Sequence, residues 1–132
     1  MKPANAADLP LIDRCIVAAL EELERNAQRE VTSELITDPA ERAFYRRGAN
    51  AYRKALLAFL QGTRPVSDGR GEWLVSSQSR GGVVHRVDRL NSCTCEAGTA
   101  GQACWHAALA LGVEIGWEAV AREDDGDQAE AA

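Results

Sequence analysis

Asn91-Ser92-Cys93-Thr94-Cys95-Glu96-Ala97-Gly98-Thr99-Ala100-Gly101-Gln102-Ala103-Cys104-Trp105-His106 is the stretch that organises the rest of this 132-residue chain. Two Cys flank Thr94, eight residues follow, and a Cys and a His then flank Trp105. The pattern uses three of the four cysteines and one of the two histidines. Three thiolates and an imidazole are four soft or borderline donors, the full coordination number of tetrahedral zinc. Asn91–Gly101 is polar and glycine-rich, free to bend around an ion, whereas Ala103–Leu111 is apolar and reads as a helix. Residues two apart on a helix point to nearly opposite sides. Cys93 and Cys95 therefore require a curled loop, while Cys104 belongs just before a first helical turn and His106 within it. Such a loop aims backbone N–H groups at the sulfurs, and Arg86 and Arg89 are candidates to relieve a site charge of about −1.

Other chemistries fit these residues less well. Disulfides need an oxidising compartment, and a bridge between Cys93 and Cys95 would be strained. A nucleophilic Cys104 paired with His106 lacks an orienting acid or an oxyanion loop close in sequence. Iron–sulfur clusters ordinarily take four thiolates. Four protein ligands leave no open position for water or substrate, which marks a structural ion rather than a catalytic one. Cys15, on the edge of an apolar helical stripe, reads as a small buried hydrophobe. His85, between Val84 and Arg86, reads as a surface or half-buried strand residue, and Trp105 as core.

Trp73-Leu-Val-Ser-Ser, Val83-Val-His-Arg-Val, Cys93-Thr-Cys and Cys104-Trp-His-Ala-Ala-Leu-Ala together resemble a SWIM-type zinc finger. That family pairs a two-stranded hairpin with a Cys-x-Cys…Cys-x-His site and a following helix, a ββα arrangement. The resemblance covers about Trp73 to Leu111, under a third of the chain. It implies one structural Zn2+ held by Cys93, Cys95, Cys104 and His106. It also implies partners among nucleic acids or proteins, since the family occurs in transposase-like, recombination-related and ATPase-linked proteins. A basic residue often stands between the last Cys and His in the family; here Trp105 does.

The composition sets the surroundings of this motif. No signal peptide is expected: the apolar stretch Cys15–Leu20 is short and directly follows Asp13 and Arg14. No run approaches the ~20 apolar residues of a membrane span. A reducing cytoplasm is the expected location, and it suits thiolate ligands. The net charge of −5 is unevenly spread. Residues 1–38 carry −4, residues 39–90 carry +6 from ten basic and four acidic side chains, and residues 118–132 carry −5. The acidic total would argue against nucleic acid; the basic middle argues for it.

The expected fold class is α+β: a helical hairpin over 1–62, a linker over 63–71, a SWIM-type module over 72–121 and an acidic disordered tail over 122–132. A first helix runs from Leu9 to about Glu30, with Asp8 as N-cap and Ile12, Ile16, Ala19, Leu20, Leu23 and Ala27 on one stripe. A second opens at Asp38-Pro39 and ends near Gly62. Glu72–Ser77 and Val83–Asp88 read as strands around a turn at Gly81-Gly82, with Trp73, Val75, Val83, Val84 and Val87 supplying the inward face and its neighbours. The third helix is expected over Ala103–Leu111, stopped by Gly112.

Arg42, Arg46, Arg47, Arg53 and Lys54 fall on the outer arc of the second helix. With Arg86 and Arg89 they form the candidate nucleic-acid surface, with DNA favoured; phosphate contacts need no base code. The alternative is an adaptor that docks onto a larger DNA-processing or ATPase protein. Paired carboxylates, a second ligand set and a Gly-rich phosphate loop are all absent from the sequence, so no enzyme and no small-molecule substrate is expected.

Overall fold

The computed structural model describes residues 10–77 and 82–131, with side chains up to Arg122. Its elements run α1 (Leu11–Thr32), α2 (Pro39–Leu60), β1 (Val66–Ser67), β2 (Trp73–Ser76), β3 (Val84–Val87), α3 (Glu96–Thr99) and α4 (Trp105–Ala131). The class is α+β: helices with a small three-stranded antiparallel sheet of order β1-β2-β3. No helix among the described residues is long and apolar enough to cross a membrane.

The two N-terminal helices follow from their stripes and caps. α1 buries Ile16, Val17, Ala19 and Leu20. Asp8, the expected N-cap, lies outside the described residues, and the helix starts after Pro10 without a side-chain cap. Asp38 caps α2 by accepting from the Ala40 N–H at 3.0 Å, and Pro39 takes the first helical position, where its missing N–H costs nothing. α2 turns Ala51, Ala55, Ala58 and Phe59 inward. Phe44, eleven residues before Ala55 and so on the same face, is 56 % exposed because it lies a turn and a half before the packed part of the helix.

α4 does not stop at Gly112. It continues to Ala131, packing against both α1 and α2. A Cβ on Gly112 would lie 2.5 Å from Leu20 Cδ2, and one on Gly116 would lie 3.0 Å from Ile16 Cα. Both glycines thus face α1 and let the two helix backbones approach closely, a tertiary role that resembles a C-terminal stop in sequence. Residues 122–131, expected as an acidic disordered tail, form the end of this helix.

The sheet has one strand more than the expected hairpin, because Val66 and Ser67, within the expected linker, pair with Leu74 and Trp73. β2 and β3 are in register as Trp73↔Val87 and Val75↔His85. Side chains alternate across a strand, so this register turns Trp73, Val75 and Val87 inward with His85. Of the valines named for the inward face and its neighbours, Val84 is 53 % exposed and Val83 is also on the surface. The expected turn at Gly81-Gly82 falls partly on residues outside those described. Trp73 ties the sheet to α4, donating from Nε1 to Glu114 Oε1 at 2.7 Å and meeting Trp117 edge-on. One core cluster joins Leu20, Phe59, Val75, Val87 and Leu109, spanning α1, α2, the sheet and α4.

Candidate metal centre

The loop after β3 curls because of Asp88. Its Oδ1 accepts the N–H groups of Leu90 and Ser92, both at 2.9 Å, and its carbonyl accepts Asn91 N–H. Asn91 adopts the left-handed φ of 62° that the reversal needs, a conformation Asn tolerates. The chain then runs back along β3. Thr94 N–H donates to Arg86 O at 3.0 Å, and Thr94 Oγ1 accepts Arg86 N–H at 2.9 Å, while Val87 bridges to Cys93. Thr94 therefore points toward the strand, and the two cysteines on either side of it turn inward together.

α3 carries the chain from one ligand pair to the other, with Cys95 as its N-cap. Gly98 in α3 sits directly over Cys93: a Cβ there would overlap the Cys93 carbonyl and lie 2.9 Å from Cys93 Cβ. Cys104 immediately precedes α4, and His106 lies in its first turn. These are the positions the two-residue spacing requires.

Cys93, Cys95, Cys104 and His106 come together, with one donor atom from each lying within 4.8 Å of the others. They could hold a metal ion. All four cysteines are unbridged, and Cys15 sits apart on α1. Backbone N–H groups point at each sulfur of the site. Cys95 N–H donates to Cys93 Sγ at 3.5 Å, Gly98 N–H to Cys95 Sγ at 3.3 Å and Ala107 N–H to Cys104 Sγ at 3.4 Å. Such dipoles favour the thiolate, the form that binds metal.

The electrostatics separate two of the thiols. The contact with Cys93 pulls the Cys104 thiol down to about 4, against the opposing effect of burial. Cys93 is pushed up, chiefly by the neighbouring Cys104. His106 is 6 % exposed, and neither of its ring nitrogens has a hydrogen-bond partner. A buried imidazole without partners is costly in a protein interior, and a metal ion among the three sulfurs would take one of the two ring nitrogens and remove that part of the cost. The residues present thus fit a bound ion. His85 lies beside the site without joining it, its ring centroid 4.6 Å from that of His106. Trp105 is core, at 7 % exposure.

The candidate cations fall into separate groups. Arg42 donates to the carbonyls of Val31, Ser33 and Ile36, closing the end of α1 and the α1–α2 connection. Arg86 pairs with Glu72 at 3.4 Å and reaches Asp68 at 4.0 Å. The Asp68 carboxyl is held low, chiefly by the Arg70 N–H. Arg89 donates from Nε to the Arg70 carbonyl at 2.7 Å. Arg86 and Arg89 thus serve the sheet and its loops rather than the sulfurs.

Arg46, Arg47, Arg53 and Lys54 are exposed and form no ion pair among the described residues. Seven residues nearly complete two turns, so Arg47 and Lys54 share one face and Arg46 and Arg53 another, about 100° round the helix. Arg47 and Lys54 line the hollow in front of the metal site, where Lys54 Nζ stands 6.0 Å from the Trp105 ring.

Sequence reasoning missed three residues that shape the centre: Asp88, Thr94 and Gly98. Asp88-x-x-Asn91 carries a recognisable turn signal. Thr94 and Gly98 act through contacts that no spacing encodes. No family model, curated protein or solved structure matches this chain.

Proposed function

We propose that this is a small, non-enzymatic zinc protein whose SWIM-type site is structural and which binds nucleic acid, DNA in preference, through the free cations of α2. The observation that carries it is the pair of unpartnered ring nitrogens of His106 inside a cage of three sulfurs. A tetrahedron with Zn–S arms of 2.3 Å has edges of about 3.8 Å, and donors within 4.8 Å of one another need only a small closure to reach it. Soft donors select zinc over magnesium or calcium. Four protein ligands complete the sphere, so the ion would fix the loop onto α4 and the sheet rather than activate a substrate.

The partner is argued from charge. Arg46, Arg47, Arg53 and Lys54 stand on a chain of net charge −5 without carboxylate partners among the described residues. Arginine matches phosphate geometry well. A titration of zinc-loaded protein against DNA across a salt series tests this. Affinity should fall steeply with salt, and replacing all four cations by Gln should flatten the slope and cost affinity alike for unrelated sequences. Salt-insensitive binding, or none at low salt, overturns it.

The adaptor reading has its own support. A hollow between α1 and α4 is walled by Ile12, Ile16, Phe59, Val113 and Trp117, with Trp117 51 % exposed. If no nucleic acid binds, substitutions at Trp117 should abolish capture of a protein partner.

A further inference from the structure

Phe44 of α2, which fails to reach the core, borders a groove with Tyr45. A hollow of about 470 Å3 opens between α1, α2 and the metal loop, with Phe44 and Tyr45 at its aromatic end. Their rings meet edge to face at 5.4 Å. Its walls include the small residues Ala27, Gly48 and Ala51, and the side-chain amides of Asn26 and Gln102. A second hollow lies beside it, shares the wall formed by Ala51, Gln102, Ala103 and Cys104, and is lined by Arg47, Asn50 and Lys54. The two adjoining hollows thus give this face an aromatic end and a cationic end. Along α2 the distance from Phe44 to Lys54 is about 15 Å at 1.5 Å per residue.

We propose that this groove seats single-stranded nucleic acid, with bases stacked on Phe44 and Tyr45 and phosphates held by Arg47 and Lys54. The inference rests on the nucleic-acid reading above and narrows it to a strand type and a face of α2. Phe44, exposed, and Tyr45, half-buried, stand beside unpaired cations, and aromatics with cations are the two components of sequence-tolerant single-strand binding. A planar base fits a hollow walled by small residues, and the amides can meet its edge. A duplex keeps its bases stacked inside and would offer the aromatic end nothing. Glu30 lines that aromatic end and Glu96 the cationic one. The sugar–phosphate backbone is directed to Arg47 and Lys54, the cations among the residues lining the two hollows.

Fluorescence anisotropy of the zinc-loaded full chain with labelled oligothymidine, and with a duplex of equal length, tests this at low salt. The single strand should bind more tightly than the duplex. Phe44→Ala should weaken single-strand binding about five- to hundredfold, with zinc content and helical circular dichroism unchanged because Phe44 is largely exposed. Arg47→Gln with Lys54→Gln should weaken it and flatten the salt slope. Arg46→Gln with Arg53→Gln, on the other face, should leave the single-strand preference in place. Equal binding of strand and duplex with a silent Phe44→Ala overturns the groove while leaving the nucleic-acid reading standing. Absence of binding to either overturns both.

Discussion

Gly98 lies so close over Cys93 that a methyl group at its α-carbon would overlap the Cys93 carbonyl. The same residue donates its N–H to Cys95 Sγ. One backbone position thus presses on the first ligand and holds the second, so the loop closes only when position 98 has no side chain. Gly98→Ala should weaken metal binding and destabilise the protein by about 1–3 kcal/mol, the usual cost of overpacking. A chelator competition and a thermal melt would check both. Wild-type metal affinity in this variant would show that the loop has slack.

One metal ion per chain is expected, bound by Cys93, Cys95, Cys104 and His106. Metal analysis of protein purified without added zinc should give close to one equivalent. Cys104→Ser should lose the ion, and Cys15→Ser should keep it, because Cys15 stands apart on α1. Full retention in the Cys104 variant would remove this ligand from the set.

Chelation should loosen one part of the molecule and spare another. The loop from Cys93 to Cys104 is held by turns and by the ligand cluster, whereas Leu20, Phe59, Leu109 and Val113 are buried where α1, α2 and α4 pack together. Hydrogen exchange after chelation should therefore rise across 88–104 and β3 while α1, α2 and the middle of α4 stay protected. Uniform loss of protection would show that the ion supports the whole fold.

The thiols give a pH prediction. In metal-free protein Cys104 is pulled to about 4, below its ordinary value, through its contact with Cys93. A depressed folded value stabilises the fold above the unfolded thiol range and loses that contribution as pH falls through the folded value. Cys93, raised by the same contact, has the opposite sign, so between these limits the proton of the pair stays on Cys93. Iodoacetamide at about pH 6, well below an ordinary thiol value of about 8.5, should then alkylate Cys104 well ahead of Cys93. Added metal should block both. Preferential labelling of Cys93 would reverse the assignment.

The metal centre was legible in the sequence because ligand chemistry and spacing are local properties. The limits of α2 were legible for the same reason, through Asp38, Pro39 and the break at Gly62. What sequence did not reveal depends on distant partners. Val84 faces out because the register pairs Val75 with His85. β1 exists only through pairing with β2. The arginine arc looked continuous on a helix diagram, yet Arg42 is drawn to carbonyls at the end of α1 and the remaining cations divide between two faces.

Gly116 supplies the clearest case of a residue with opposite local and tertiary effects. By helix propensity alone, Gly116→Ala inside α4 should stabilise by about 1 kcal/mol. Its new Cβ would meet Ile16 at 2.9 Å from the backbone nitrogen and 3.0 Å from Cα. Backbone cannot rotate away as a side-chain tip can, so α1 and α4 must separate, which costs about 1–3 kcal/mol in a packed interface. The net effect should be a loss of about 1 kcal/mol, read as a lower midpoint in chemical denaturation at unchanged slope. Gly112→Ala meets the flexible Leu20 side chain instead and should cost less. A stabilised Gly116→Ala would mean that the helices are not in close contact there, and that the glycine marks a weak point of α4 rather than its seam with α1.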